Sequence, residues 1–175
     1  MEKVKKVKCI SLEKALRLFL LVIVMLTLMN TFIFQSFWIP SGSMKPTLKI
    51  GDIIIASKCS YWNRNPVRGE IIVFRYPKDI SKFFVKRIIG LPGEKVEIKN
   101  SRVYINGIMI SEAYVIPKEY CDFSMVTVPD NQYFVLGDSR ADSEDSRVWG
   151  FLDEKYIVGK VSYRYWPLDS RGRIF

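Results

Sequence analysis

Arg102-Val103-Tyr104-Ile105-Asn106-Gly107-Ile108-Met109-Ile110 reads as two short apolar runs joined by Asn-Gly. That pair tolerates two consecutive left-handed residues, so it closes a two-residue turn whose twist matches the strands beside it. The segment predicts a β-hairpin. The same texture extends outward. Runs rich in β-branched and aromatic residues occupy 52–57, 70–76, 83–89 and 95–99 on one side, and 126–128, 133–136 and 157–166 on the other. Pro92-Gly93, Asn100-Ser101 and Pro129-Asp130-Asn131 separate them as turns. Beyond residue 45 no stretch keeps a 3.6-residue apolar period for more than about two turns. The expected fold is therefore mainly β, a folded antiparallel sheet or barrel filling 39–175, with no internal repeat and no linker to split it.

The N-terminal region has a different character. Residues 18–44 are 27 in a row without a charge, and 18–34 are mostly large and apolar. Carried to Ile39, the run is 22 residues, or about 33 Å as a helix, against a bilayer core of about 30 Å. A cleaved secretory leader would have a shorter apolar core and a small-x-small site. Here Phe32, Phe34, Phe37 and Trp38 follow, the aromatics of a membrane interface. The expected organisation is a basic cytoplasmic N-terminus over 1–16, a transmembrane signal-anchor helix over 17–38, and an extracytoplasmic β domain over 39–175. The positive-inside rule sets that single-pass topology in the cell membrane.

Composition narrows the chemistry. The 175 residues are 49% apolar and 26% charged, which excludes a disordered chain. The net charge is +9, and +4 of it lies in residues 1–17, where six basic side chains face two acidic ones. The remainder is dispersed, with no basic stripe for nucleic acid; an anionic membrane surface suits the asymmetry better. Histidine is absent, which removes imidazole-based nucleophilic catalysis and most zinc sites. Cys9, Cys59 and Cys121 lack metal-ligand spacing. They read as free thiols, with one Cys59–Cys121 bridge as the alternative. No metal and no cofactor is expected.

Three clusters are hard to explain as scaffold. Ser41-Gly42-Ser43-Met44-Lys45-Pro46-Thr47-Leu48 follows the apolar segment directly. Alone it is a turn, but a hydroxyl on a glycine-flanked turn at the membrane surface is a candidate nucleophile. In Phe84-Val85-Lys86-Arg87-Ile88-Ile89-Gly90, strand alternation requires one face or the other to bury a basic residue among large apolar neighbours. A lysine at its reference pKa of ~10.4 is neutral about once in two thousand near pH 7. Lowering that pKa by ~2–3 units takes about 3–4 kcal/mol of desolvation and makes a usable base. The third cluster is Gly137-Asp138-Ser139-Arg140-Ala141-Asp142-Ser143-Glu144-Asp145-Ser146-Arg147, running into Val148-Trp149-Gly150. It lacks the offsets of a calcium loop and reads as a salt-bridged buttress, with Asp145 and Arg147 as partners.

With histidine absent, serine and lysine remain as nucleophile and base. A basic N-terminus, one apolar segment, then SGSMKPTL, GDIIIASK, FVKRIIGLPG and GDSRADSEDSR-VWG in that order closely resemble the bacterial type I signal peptidases over nearly the whole chain. The resemblance implies a membrane-bound serine endopeptidase that removes signal peptides from exported preproteins after an Ala-x-Ala site. It assigns Ser43 as nucleophile and Lys86 as general base. The oxyanion donors would be the Ser43 N–H and the Ser41 hydroxyl. Ser143 would orient the lysine, with Asp145, Arg147 and Asp138 supporting it. Phe37, Ile39, Met44, Leu48, Phe84 and Val85 would line an apolar substrate pocket. Ser139 departs from the family pattern, which has Asn there. The partners so implied are signal peptides and the lipid bilayer. The competing readings are a non-catalytic membrane-tethered β module and a peptidase dedicated to one exported substrate.

Overall fold

The computed structural model describes residues 11–116 and 118–174; the basic residues 1–10, including Cys9, lie outside it. It begins with helix α1, Leu12–Phe32. Twelve strands follow in chain order. They are β1 Phe34–Trp38, β2 Ile53–Ser57, β3 Ile71–Tyr76, β4 Asp79–Gly90, β5 Lys95–Lys99 and β6 Arg102–Ile105. Next come β7 Ile108–Met109, β8 Phe123–Thr127, β9 Gln132–Leu136, β10 Leu152–Asp153, β11 Ile157–Trp166 and β12 Gly172–Arg173. A single helical turn, α2 Ser146–Trp149, sits between β9 and β10.

The strands form two antiparallel sheets, as the alternating runs predict. The larger has eight strands in the open order β1-β2-β11-β3-β4-β9-β10, with β12 on β11. The smaller has the order β7-β6-β5-β8. Its β6–β7 hairpin turns through Asn106 and Gly107 at φ 52° and 81°, both left-handed as Asn-Gly permits.

The 17–38 helix expected from the apolar run is two elements. α1 starts earlier and stops at Phe32, and residues 34–38 are a strand registered on β2, Phe34 opposite Ser57 and Trp38 opposite Ile53. An apolar run suits a helix or a strand equally; the free edge of β2 decides for the strand. Lys58 fastens the junction, its amide donating to Ile33 O and its Nζ to Thr31 O, both at 2.8 Å, where a cation suits the helix C-terminus. Among the described residues no helix is long and apolar enough to cross a membrane. Glu13, Lys14 and Arg17 occupy the start of α1. The charge-free part, 18–32, is 15 residues or about 22 Å.

The core explains the position of the basic residues. β3 sends Ile71 and Val73 into one apolar cluster and Ile72 and Phe74 into another. β4 and β9 are likewise covered on both faces, with Ile89, Phe134 and Leu136 on one side and Ile88, Tyr133 and Val135 on the other. Alternation on a strand buried on both faces spares neither neighbour. Lys86 and Arg87 are both enclosed, 3% and 2% exposed. Cys59 and Cys121 are free thiols.

Candidate active site

The loop that carries Ser43 is the connection from β1 to β2. Its ends are tied together, Ile39 N–H donating to Asp52 O and Gly51 N–H to Ile39 O, each at 2.9 Å. Two buried side chains, Met44 and Leu48, root it in the core, and the Met44 carbonyl accepts from Leu48 N–H at 2.9 Å. Met44 points inward, so Ser43 beside it is turned toward β4. There Lys86 Nζ donates to Ser43 Oγ at 2.8 Å. Ser41 Oγ lies 3.3 Å from Ser43 Oγ.

Lys86 is pushed down to about 8, with burial as the main cause and the charges of Asp145, Glu144 and Asp138 acting against it. Its nearest polar partner is a neutral hydroxyl, and its Nζ lies 5.6 Å over the Phe84 ring. At a pKa of about 8, roughly one molecule in ten is neutral near pH 7.

The loop after β9 closes the site from behind. Ser139 N–H donates to the Ser43 carbonyl at 3.0 Å. Gly137 makes this approach possible: a β-carbon there would lie 2.5 Å from Ser43 O and 2.2 Å from Ser143 Oγ. Asp138, fully buried, receives Arg87 through Nε at 2.9 Å and Nη2 at 2.7 Å, and Thr47 Oγ1 at 2.6 Å. Thr47 belongs to the Ser43 loop, so this carboxylate ties that loop to β4. Asp145 receives Arg147 at 2.8 and 2.9 Å, caps α2 and accepts the Gly137 N–H at 3.1 Å. Ser143 Oγ is buried beside Gly137 and has no hydrogen-bond partner among the described residues, Lys86 included.

A cavity of about 310 Å³ opens in front of Ser43 and Lys86. Phe37, Ile39, Met44, Phe84 and Val85 line it, joined by Trp38, Pro40, Ser41, Phe83, Asp142 and Glu144. Leu48 does not; it is a wholly buried core residue of the Ser43 loop, so the expectation that it lines the pocket is corrected.

Residues 12–166 match the family model described as signal peptidase, peptidase S26. The chain is 44% identical over 149 residues to the probable signal peptidase I-2 of Synechocystis sp., covering 82% of this chain and 68% of that one. It is 40% identical over 167 residues to the signal peptidase I of Bacillus caldolyticus, covering 87% and 90%. A crystal structure of a signal peptidase I from Enterococcus faecalis superposes with a TM-score of 0.51 at 37% identity, over 55% of this chain and 97% of that one. The chain belongs to the signal peptidase family, peptidase S26. It is accordingly a hydrolase, a serine peptidase of the signal peptidase I type.

Several residues that build the peptidase's site escape sequence reasoning. Arg87 pairs with a carboxylate 51 positions away. Arg140, 3% exposed, is clamped by Glu112 through Nη1 at 2.8 Å and Nη2 at 2.6 Å, and its Nε donates to Gly137 O at 3.0 Å. Tyr114 donates to Glu112 at 2.9 Å while its ring carries the Arg87 guanidinium 3.9 Å from its centroid. The connection between β7 and β8 thus braces both buried arginines. The only advance sign was a basic residue inside each apolar or alternating motif.

Proposed function

We propose that this peptidase cuts signal peptides from exported preproteins after a small-x-small site, with Ser43 as nucleophile and Lys86 as general base. The observation that carries the reading is the 2.8 Å contact of Ser43 Oγ with a buried lysine nitrogen that makes no ion pair within 4.0 Å among the described residues. Neutral Lys86 accepts the Ser43 hydroxyl proton as Oγ attacks the scissile carbonyl carbon. The oxyanion is met by the Ser43 N–H and the Ser41 hydroxyl, donors that contribute ~3–4 kcal/mol each when preorganised. The Lys86 ammonium then protonates the departing nitrogen as the C–N bond breaks, leaving an ester on Oγ. Water attacks that ester, Lys86 takes its proton, and the same proton returns to Oγ as the ester bond opens. The apolar side of the cavity suits small side chains at the cleavage site.

The substrate argues for a membrane anchor. A signal peptide presents its cleavage site just outside the bilayer, and a tethered nucleophile meets it at raised effective concentration. In this reading α1 lies in the bilayer. Its apolar side chains, such as Leu18, Phe19, Leu20 and Leu21, are each more than half exposed. Its full 21 residues span about 32 Å if Lys14 and Arg17 extend to the headgroups. The basic N-terminus is then cytoplasmic and the β domain extracytoplasmic.

The test is cleavage of a preprotein bearing Ala-x-Ala by the detergent-solubilised full chain beside Ser43→Ala and Lys86→Ala. Cleavage after the second alanine by the parent alone supports both roles; cleavage surviving in either variant overturns that assignment.

A further inference from the structure

The cleft in front of Ser43 has two unlike walls. One is aromatic and aliphatic, with Phe37, Phe84 and Val85; the other carries Asp142 and Glu144. The acids around the site are mostly compensated. Asp138 pairs with Arg87, Asp145 with Arg147, Glu112 with Arg140, and Asp142 lies 3.7 Å from Lys118 Nζ. Glu144 differs. Among the described residues it makes no ion pair within 4.0 Å.

Its carboxylate is nonetheless held in place, by a neutral donor. The Tyr76 hydroxyl donates to Glu144 Oε1 at 2.7 Å. The Tyr76 ring is buried and stacked on Phe84, centroids 4.4 Å apart and planes within 4°, and Trp149 meets it edge-on at 6.1 Å. Phe84 itself faces the cleft. A negative charge with no ion-pair partner within 4.0 Å among the described residues, felt by Lys86 only at longer range, is therefore held on the exposed cleft wall at the edge of an aromatic stack.

We infer that Glu144 is a specificity-determining residue of this cleft: it favours a peptide carrying Lys or Arg close to the scissile bond and disfavours one carrying Asp or Glu there. The inference rests on the reading of the cleft as the peptide-binding site. A partly exposed ion pair changes affinity by a factor of about 1.5–5, and a like charge in the same place costs about as much. The ratio of Lys to Glu peptides is then about twofold to 25-fold, and it narrows in high salt.

Peptides spanning an Ala-x-Ala site, with Lys, Gln or Glu placed in turn at each of the three positions on either side, are compared with the wild-type chain and Glu144→Gln. The expected result is a Lys-over-Glu preference in kcat/KM at one or more positions that falls toward unity in Glu144→Gln. A ratio that Glu144→Gln leaves unchanged at every position overturns the inference. Binding of the same labelled peptides to Ser43→Ala, followed by fluorescence anisotropy, reads the preference without any bond being cut. A Lys preference in binding supports the role of Glu144 even if no peptide is cleaved, and the failure then falls on the Ser43–Lys86 assignment. Equal affinities for Lys and Glu peptides at all positions overturn it.

Discussion

Lys86 and Arg87 are neighbours on β4, equally buried, and treated in opposite ways. Arg87 receives the bidentate carboxylate of Asp138 and the face of Tyr114, whereas Lys86 receives one serine hydroxyl. A guanidinium keeps its charge under any burial and must be paired. A lysine can shed its proton, so enclosing it without an ion-pair partner lowers its pKa and leaves a share of the amine neutral near pH 7. One strand thus carries a paired cation and an amine of lowered pKa on adjacent residues.

The pH dependence follows from the lysine. If neutral Lys86 is the base, kcat rises with a single ionisation centred near 8 and levels off above it. The acid limb has unit slope, since no histidine is present to add a second ionisation near neutrality. Initial rates of preprotein cleavage from about pH 6 to 10 measure it; a profile flat across that range removes Lys86 as the titrating base.

The same shift makes a stability prediction. Between about 8 and the unperturbed value of 10.5 the unfolded chain holds a proton that the folded chain has lost. Stability therefore rises with pH through that window, and the full cost of the buried amine is present below it. The separation is worth about 3 kcal/mol, offset in part by the lost hydrogen bond to Ser43. Lys86→Met, similar in shape and apolar, is expected to be inactive yet about 1–3 kcal/mol more stable at pH 7, an advantage that shrinks as pH passes from 8 to 10.5. Thermal unfolding of both proteins across pH measures this.

Much of the fold could be read in advance because its signals are local. The 157–166 run is β11 end to end, and Asn106-Gly107 turns as its residue types require. What could not be read depends on partners distant in the chain. Phe34–Trp38 looks like more helix until β2 offers an edge. The choice between burying Lys86 and Arg87 dissolves once β3 and β9 flank β4 and both its faces are covered. The serine–lysine pair stood out because chemistry without histidine leaves few alternatives. The ion pairs that hold its geometry join residues 28 and 51 positions apart and leave no local periodicity.

Gly137 tests how tightly the rear wall fits. Its α-carbon lies where a β-carbon would meet the Ser43 carbonyl and the Ser143 hydroxyl. Gly137→Ala must displace the Ser43 loop, and if Ser43 is the nucleophile a shift of about 1 Å there costs on the order of 100-fold in rate. Ser143→Gly added to it relieves only the side-chain half of the clash and is expected not to restore activity. Gly159→Ala is the comparison, because its β-carbon would strike the Ser57 carbonyl at 2.4 Å, outside the cleft. It should lower the melting temperature without the same loss in kcat per folded molecule.

Glu112 supplies the most demanding test of the brace between the small sheet and the loop after β9. Arg140 has a side chain only 1% exposed, and Glu112 is its bidentate partner. Glu112→Gln leaves a buried guanidinium with weakened compensation. Removing a partner from a buried pair costs about 3–5 kcal/mol, an upper bound here because the amide still accepts a hydrogen bond. For a chain of this size that bound is a fall in melting temperature of about 10 °C. Glu112→Gln combined with Arg140→Met removes the stranded charge, so the double variant should be more stable than Glu112→Gln alone. Its kcat should nevertheless stay low, because Arg140 Nε no longer holds the Gly137 carbonyl behind Ser43. Thermal unfolding and single-turnover cleavage of the two single variants and the double variant separate these effects: recovered stability with depressed kcat identifies a positioning role, and recovery of both reduces the brace to scaffold.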